Sequence, residues 1–205
     1  MHFEIAEQHL LYDGFFRVHR YWLRHALFGG GMSDTVMREC FEPGKSVGVL
    51  PYDPQRDEVA LIEQFRIGAL QHPQGPWVLE AIAGIIEPGE TATEVAYREA
   101  REEAGCELRE LQFISRYLVS PGGNSEEQSV FCGLADTRRL GGVHGLASEG
   151  EDIRVHVVSL DEALEMVATG AIHAAQLIIA LQWLALNRER LHALWGGDEA
   201  ISPPA

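Results

Sequence analysis

Residues 84–106, GIIEPGETATEVAYREAREEAGC, decide how this chain is read. Thr91 followed by Glu94 is a capping box, which makes Thr91 the natural N-cap of a helix. Gly105 suits the left-handed position just past a helix end, so the pattern predicts a helix over 92–103. Val95, Ala96 and Ala100 form its apolar stripe, and the other side carries Glu99, Glu102 and Glu103. Glu99 and Glu103 are i and i+4 and project from one face, with Glu102 beside them. Like charges at that spacing weaken a helix, and these crowd its negative C-terminal end. Local helix stability therefore does not explain them. A hard cation would, because magnesium takes carboxylate oxygens together with substrate phosphates. Taken alone, the run also reads as a solvated acidic face with Arg98 and Arg101 as neutralising neighbours.

The rest of the composition bounds the answer. With 205 residues, 46% of them apolar and 23% charged, the chain has the make-up of a globular protein with room for one sizeable α/β domain and a smaller appendage. A formal charge of −15 would repel a nucleic-acid backbone, so no nucleic-acid partner is expected. A small anionic substrate must bring a cation or meet a local basic cluster. Cys40, Cys106 and Cys132 are odd in number and widely spaced, which suggests reduced thiols rather than a disulfide framework or a zinc site. The first eleven residues carry Glu4 and Glu7 and no long apolar run, so they do not read as a secretion signal. The most apolar stretch, 174–186, is too short for a bilayer and contains Gln176 and Gln182. No membrane association and a cytoplasmic location are the expectation.

Along the chain, 11–27 alternates aromatic and basic residues, so that Phe16, Val18, Arg20 and Trp22 would share a strand face. Gly29, Gly30 and Gly31 mark a turn, and 35–41 reads as the returning strand. Such a sheet is too small to stand alone and should pack on the rest of the chain or on a second subunit. The expected division is an N-terminal strand domain over 1–44 and a larger α/β domain over 45–205. In the latter, strands are expected at 46–51, 59–65, 77–83, 111–118, 129–135 and 153–160. Further helices are expected at 161–168 and 173–194, and the tail 201–205 reads as frayed.

The spacing within 84–106 is Gly84, five residues, Glu90, seven residues, then Arg98-Glu99, and Glu102-Glu103 ahead of Gly105 and apolar Cys106. On that spacing the chain resembles the Nudix hydrolases. Stretches along nearly the whole length (LYDGFF from Leu11, DPQRDEVALIEQFR from Asp53, YLVSPGGNSE from Tyr117, GVHGLASEGEDIRVHVV from Gly142) resemble the bacterial ADP-ribose pyrophosphatase branch of that family. The resemblance implies a Nudix fold, a mixed β-sheet sandwiched between helices, with a small N-terminal antiparallel sheet exchanged across a homodimer. It implies Mg²⁺, or Mn²⁺, held by Glu99, Glu103, the carbonyl of Ala83 and Glu151, with Glu102 beside them or ligating. Glu149 matches the general base of the branch, so Glu149 and Glu102 are the catalytic candidates. Gly84, Glu90, Arg98 and Gly105 would shape the motif, with Arg98 pairing to a carboxylate such as Glu90. Substrate contacts are implied for Phe15 (stacked on adenine), Phe16, Arg38, Glu39, Arg66, Ile85, Ser120, Gly122 and Glu126.

The activity implied is hydrolysis of the pyrophosphate bond of ADP-ribose to AMP and ribose 5-phosphate. Alternatives are a pyrophosphatase for GDP-mannose, NADH or another nucleotide sugar, a non-catalytic ADP-ribose sensor, and a mononucleotide hydrolase of the 8-oxo-dGTP type. Pro43 and the loop 68–76 depart from the pattern of the branch.

Overall fold

The computed structural model describes residues 1–196 apart from the side chain of Glu149, and the expected frayed tail at 201–205 lies outside the described residues. The chain divides into two compact units, Met1–Lys45 with Tyr117–Gln128, and Ser46–Arg116 with the remainder from Ser129.

The first unit is built on an antiparallel sheet of β1 (Phe3–Asp13), β2 (Arg17–His25) and β3 (Val36–Glu42), in that spatial order. The alternation over 11–27 is not one strand. It breaks at residues 14–16, where a tight turn closed by the Gly14 N–H on the Phe16 carbonyl joins β1 to β2; Phe16 lies outside the strand that carries Val18, Arg20 and Trp22, and its ring packs on Phe41, the cross-strand partner of Val18. β1 was not visible in the sequence because all of its residues are exposed, and a strand with no buried face carries no hydrophobic period. The glycine turn is present: the Gly30 N–H bonds Leu27, and Gly30 and Gly31 take positive φ. The segment Tyr117–Gln128 joins this unit by bonds to β3, from the Phe41 N–H to the Gly123 carbonyl (2.8 Å) and from the Ser125 N–H to the Phe41 carbonyl (3.0 Å).

The second unit carries an eight-stranded sheet and the helices α1 (Ala92–Ala104), α2 (Leu160–Ala168) and α3 (Ala175–Trp195). β4 (Lys45–Asp53) and β5 (Glu58–Phe65) pair only at their hairpin end, Tyr52 with Val59 and Asp53 with Glu58. Beyond that point they splay, and the expected strand over 77–83 enters the gap as two pieces. β6 (Trp77–Glu80) pairs with β5, and β7 (Ile82–Ile85) pairs with β4. The break at Ala81 is what allows one stretch of chain to serve both neighbours. β8 (Leu111–Leu118), β9 (Glu127–Leu134), β10 (Gly142–His144) and β11 (Ile153–Ser159) complete the order β10-β11-β5-β4-β9-β8.

The two faces of the sheet follow from the period of two. Val47 and Val49 point to one side and pack with Ala60, Ile62, Ile82 and the α1 residues Val95, Ala96, Ala100 and Ala104. Gly48 and Tyr52 point to the other side, where Gln176 of α3 lies over Gly48 and His192 of α3 bonds the Tyr52 hydroxyl (2.8 Å). The sheet is thus sandwiched between helices. Cys106 and Cys132 are buried, Cys40 is partly exposed, and all three are free thiols. Among the described residues no helix is long and apolar enough to cross a membrane.

Candidate active site

The helix α1 begins and ends where its sequence dictates. Thr91 accepts the Glu94 N–H while the Glu94 carboxylate accepts the Thr91 N–H (2.8 Å), so the capping box is complete. At the other end Gly105 takes φ 59° and donates to the last carbonyls. In one respect the acidic face differs from expectation. Glu103 is not opposite the apolar stripe but within it, 3% exposed, because it follows Ala96 and Ala100 on the buried side at helical spacing. Glu99 borders the same stripe, whereas Glu102 is partly exposed.

This places carboxylates against β7. Glu103 accepts the Ala83 N–H (2.9 Å). The N–H and C=O of one strand residue leave the same edge, so with its N–H turned to Glu103 rather than to β4, Ala83 presents its carbonyl on the Glu103 side as well. Glu99 lies over Gly84, where a Cβ would stand 2.0 Å from the Glu99 Oε1. A side chain at that position would displace the Glu99 carboxylate from β7. Arg98 donates to Glu99 (2.8 Å), Glu102 (3.1 Å) and Glu90 (3.3 Å), and Glu90 in turn accepts the Glu87 N–H (3.0 Å), which closes the loop before the helix. Ile85, next along β7, is exposed.

The loop after β10 approaches the C-terminal end of α1. The Gly145 N–H bonds the Glu102 carbonyl (3.4 Å), and Glu151 accepts the Leu146 N–H (2.9 Å). Glu149 ends a single 3-10 turn, Ala147–Glu149, and its side chain lies outside the described residues. On the other flank, Arg66 follows β5 and donates its Nε to Glu80 (2.7 Å).

Electrostatics separate these acids from ordinary surface glutamates. Burial pushes the Glu103 carboxyl up to about 8; the Ala83 N–H lowers it, Glu99 raises it, Arg66 lowers it and Glu151 raises it. Burial pushes Glu99 up to about 7, against the pull of Arg98 and with the push of Glu102 and Glu151. The protein has withdrawn two carboxylates from water and compensates them only in part, Glu99 through Arg98 and Glu103 through the Ala83 N–H. As they stand they are turned to protein partners, and among the described residues no three acidic, histidine or cysteine side chains converge on one point. The donor set still suits a hard divalent cation, which would relieve both the burial and the mutual repulsion.

The other expected substrate contacts fall in the first unit, around β3. Phe15 is 84% exposed and packs edge-to-face on Phe16 (4.7 Å), which packs in the same way on Phe41 (4.9 Å). Arg38 is exposed, its guanidinium turned to the Met37 carbonyl (2.7 Å), and Glu39 is held by Arg20 through Nε (3.0 Å) and Nη2 (2.5 Å). Ser120 accepts the N–H groups of Gly123 and Asn124, Gly122 faces open space, and Glu126 is capped by Asn124 (2.8 Å). Sequence reasoning missed Phe41, Arg20 and Glu80. None sits in a motif, and each matters only through the neighbour that the register or the fold brings to it. Gln64 was missed too; it is 7% exposed on β5, and its Nε2 finds no hydrogen-bond partner among the described residues.

The model of the NUDIX domain matches residues 42–181. An ADP-ribose pyrophosphatase from Escherichia coli (strain K12) is 49% identical over 192 residues, 94% of this chain and 92% of the relative. One from Haemophilus influenzae is 44% identical over 195 residues, 94% of this chain and 90% of the relative. A GDP-mannose pyrophosphatase from Enterobacter sp. is 33% identical over 154 residues, 73% and 78% of the two chains. Among solved structures, a crystal structure of an ADP compounds hydrolase superposes with a TM-score of 0.69 at 20% identity, covering 95% of this chain and 96% of that one, which supports the fold. A domain match over most of the chain, joined to relatives at 44–49% identity along nearly all of it, makes this chain a member of the Nudix family.

Proposed function

We propose that the protein hydrolyses the pyrophosphate bond of ADP-ribose, releasing AMP and ribose 5-phosphate, with Mg²⁺ as its metal and Mn²⁺ as a substitute. The observation that carries this is the pair Glu99 and Glu103, half-buried and buried, raised in pKa and only partly compensated by Arg98 and the Ala83 N–H, on a helix packed against β7, which also offers the Ala83 carbonyl. The names of the relatives that span nearly the whole chain support the substrate. Glu99, Glu103, the Ala83 carbonyl and Glu151 would hold the metal, which when bound neutralises diphosphate charge and acidifies a water molecule.

The chain's own residues supply the rest. Glu149 accepts the proton of the attacking water, on a loop tied to α1 through Gly145. Arg66 meets the diphosphate, and Phe15, already exposed and braced by Phe16, offers its face to adenine. Arg98 keeps Glu99 and Glu102 from turning away. The protein acts as a cytoplasmic homodimer on this proposal, with the apolar residues Phe3, Ile5, Leu10 and Tyr12 of the fully exposed β1 covered by the second copy.

A GDP-mannose pyrophosphatase is the second candidate, favoured by the relative that matches 73% of the chain. Comparison of kcat/KM for ADP-ribose and GDP-mannose tests the assignment, with Glu149→Gln run beside wild type. A preference for ADP-ribose that collapses in the variant supports both substrate and base. A preference for GDP-mannose overturns the substrate, and activity that survives the variant moves the base to another residue such as Glu151.

A further inference from the structure

The pair of Arg66 and Glu80 lies beside the acidic site, and its geometry is asymmetric. Arg66 stands just past the end of the β5–β6 ladder, its N–H bonded to the Pro76 carbonyl (2.7 Å). Its side chain folds back, and Nε alone donates to the Glu80 Oε2 (2.7 Å). Among the described residues the two terminal nitrogens of Arg66 make no hydrogen bond. Glu80 sits opposite Ile62 in the ladder, and cross-strand partners point to the same side of a sheet. Ile62 packs under α1, so the Glu80 carboxylate lies on the α1 face, and the guanidinium that Glu80 holds is brought to that face as well. Glu80 is 19% exposed and Arg66 43%, so the acceptor is the fixed partner and the guanidinium the accessible one.

We propose that Glu80 is a positioning residue: by taking Nε, it fixes the plane of the Arg66 guanidinium beside the α1 carboxylates and leaves both terminal nitrogens for the diphosphate of the substrate. A guanidinium binds phosphate as a planar fork, so its orientation as well as its charge determines what it can hold. Glu80 also gives Arg66 a partner other than Glu99 and Glu103. Without it the guanidinium would be drawn onto those carboxylates and away from substrate. The proposal rests on the diphosphate-hydrolase assignment above but not on which diphosphate is cleaved.

The test is a double-mutant cycle of Glu80→Gln, Arg66→Ala and the double variant, with Glu80→Asp as a charge-retaining control. It is run on whichever of ADP-ribose and GDP-mannose the wild type turns over faster. A wrong substrate then shows in the wild-type comparison, and a wrong role for Glu80 shows in the cycle. Glu80→Gln is expected to raise KM about tenfold with kcat within about twofold, because a contact made in both ground and transition states is lost. Arg66→Ala should raise KM at least as much, and the double variant should match Arg66→Ala alone. Glu80→Asp should fall between wild type and Glu80→Gln, and melting temperatures should not move. An unchanged KM in Glu80→Gln, effects that add in full in the double variant, or a lowered melting temperature with KM intact would each overturn the role.

Discussion

Glu103 on α1 and Asp57 at the β4–β5 turn are both carboxylates drawn out of water in the same compact unit, yet their surroundings treat them in opposite ways. Burial also works against the Asp57 charge, but hydrogen bonds from Tyr52, Arg188 and His192 outweigh it and hold the carboxyl below its ordinary value. The Tyr52 hydroxyl donates to it at 2.8 Å, Arg188 grips both oxygens, and Arg188 also reaches Asp161 (2.9 Å). Asp57 even adopts a positive φ of 55°, which these partners hold in place. Around Glu103 the balance is reversed, with one backbone N–H as the bonded donor and Glu99 and Glu151 pushing against it. A satisfied carboxylate ties the hairpin to α3. Glu103 is left with less compensation than burial takes from it, a state that a bound cation would relieve.

The largest effect that can break this comparison is on rate. Glu103→Gln keeps the shape and can still accept the Ala83 N–H, but removes the charge. It should lower kcat/KM by about a thousandfold or more, equivalent to ~4 kcal/mol of transition-state stabilisation. The same variant should melt no lower than wild type without metal, because the amide still accepts the Ala83 N–H and no desolvated charge can form as pH rises. A steady-state assay and a melting curve on one preparation check both.

Next in size is the converse substitution. Asp57→Asn should leave kcat unchanged and cost about 2 kcal/mol of stability, a fall in Tm of about 6 °C, by leaving Arg188 short of its counter-charge. The figure is placed below that of a fully buried pair because the Arg188 side chain is 37% exposed. Lost turnover without lost stability in Asp57→Asn would contradict the contrast.

The smallest effect is in pH. The carboxyls of Glu99 and Glu103 have folded pKa values raised to about 7 and about 8 from an ordinary 4.5. Their contribution is therefore fully present below the ordinary value and is lost as pH rises through the raised ones. Asp57 runs the other way, its contribution present at neutral pH and lost as pH falls through its depressed pKa. Metal-free protein should accordingly lose Tm, by at least a few degrees, between about pH 5 and pH 8. Mg²⁺ should restore that loss most strongly at the upper end, where the carboxylates are ionised. A metal-free Tm that climbs over the same range would show that these acids are already neutralised by the protein.

The helix and its motif were legible in the sequence because capping and spacing are local. Thr91, Glu94 and Gly105 announce α1 without reference to the rest of the chain. The sheet was legible where a buried face imposes a period, as at Val47 and Val49, and illegible where none does, as along β1. The break at Ala81 was hidden because 77–83 is apolar on both sides of it apart from Glu80; only the splaying of β4 from β5 requires two strands there. Within the site, Glu99 and Glu103 stood out by their motif. That Glu103 lies inside the apolar stripe depends on packing against β7. Glu80 and Arg20 act through partners 14 and 19 residues away, and no local pattern reports such a pairing.

The most direct test of the central claim is AMP release from ADP-ribose at neutral pH, followed with Mg²⁺ and with a chelator for wild type and Glu103→Gln. Wild type should release AMP fast with Mg²⁺ and not at all with the chelator, and the variant should release it about a thousandfold more slowly. Release that persists with the chelator, or that Glu103→Gln carries out at the wild-type rate, would contradict that claim.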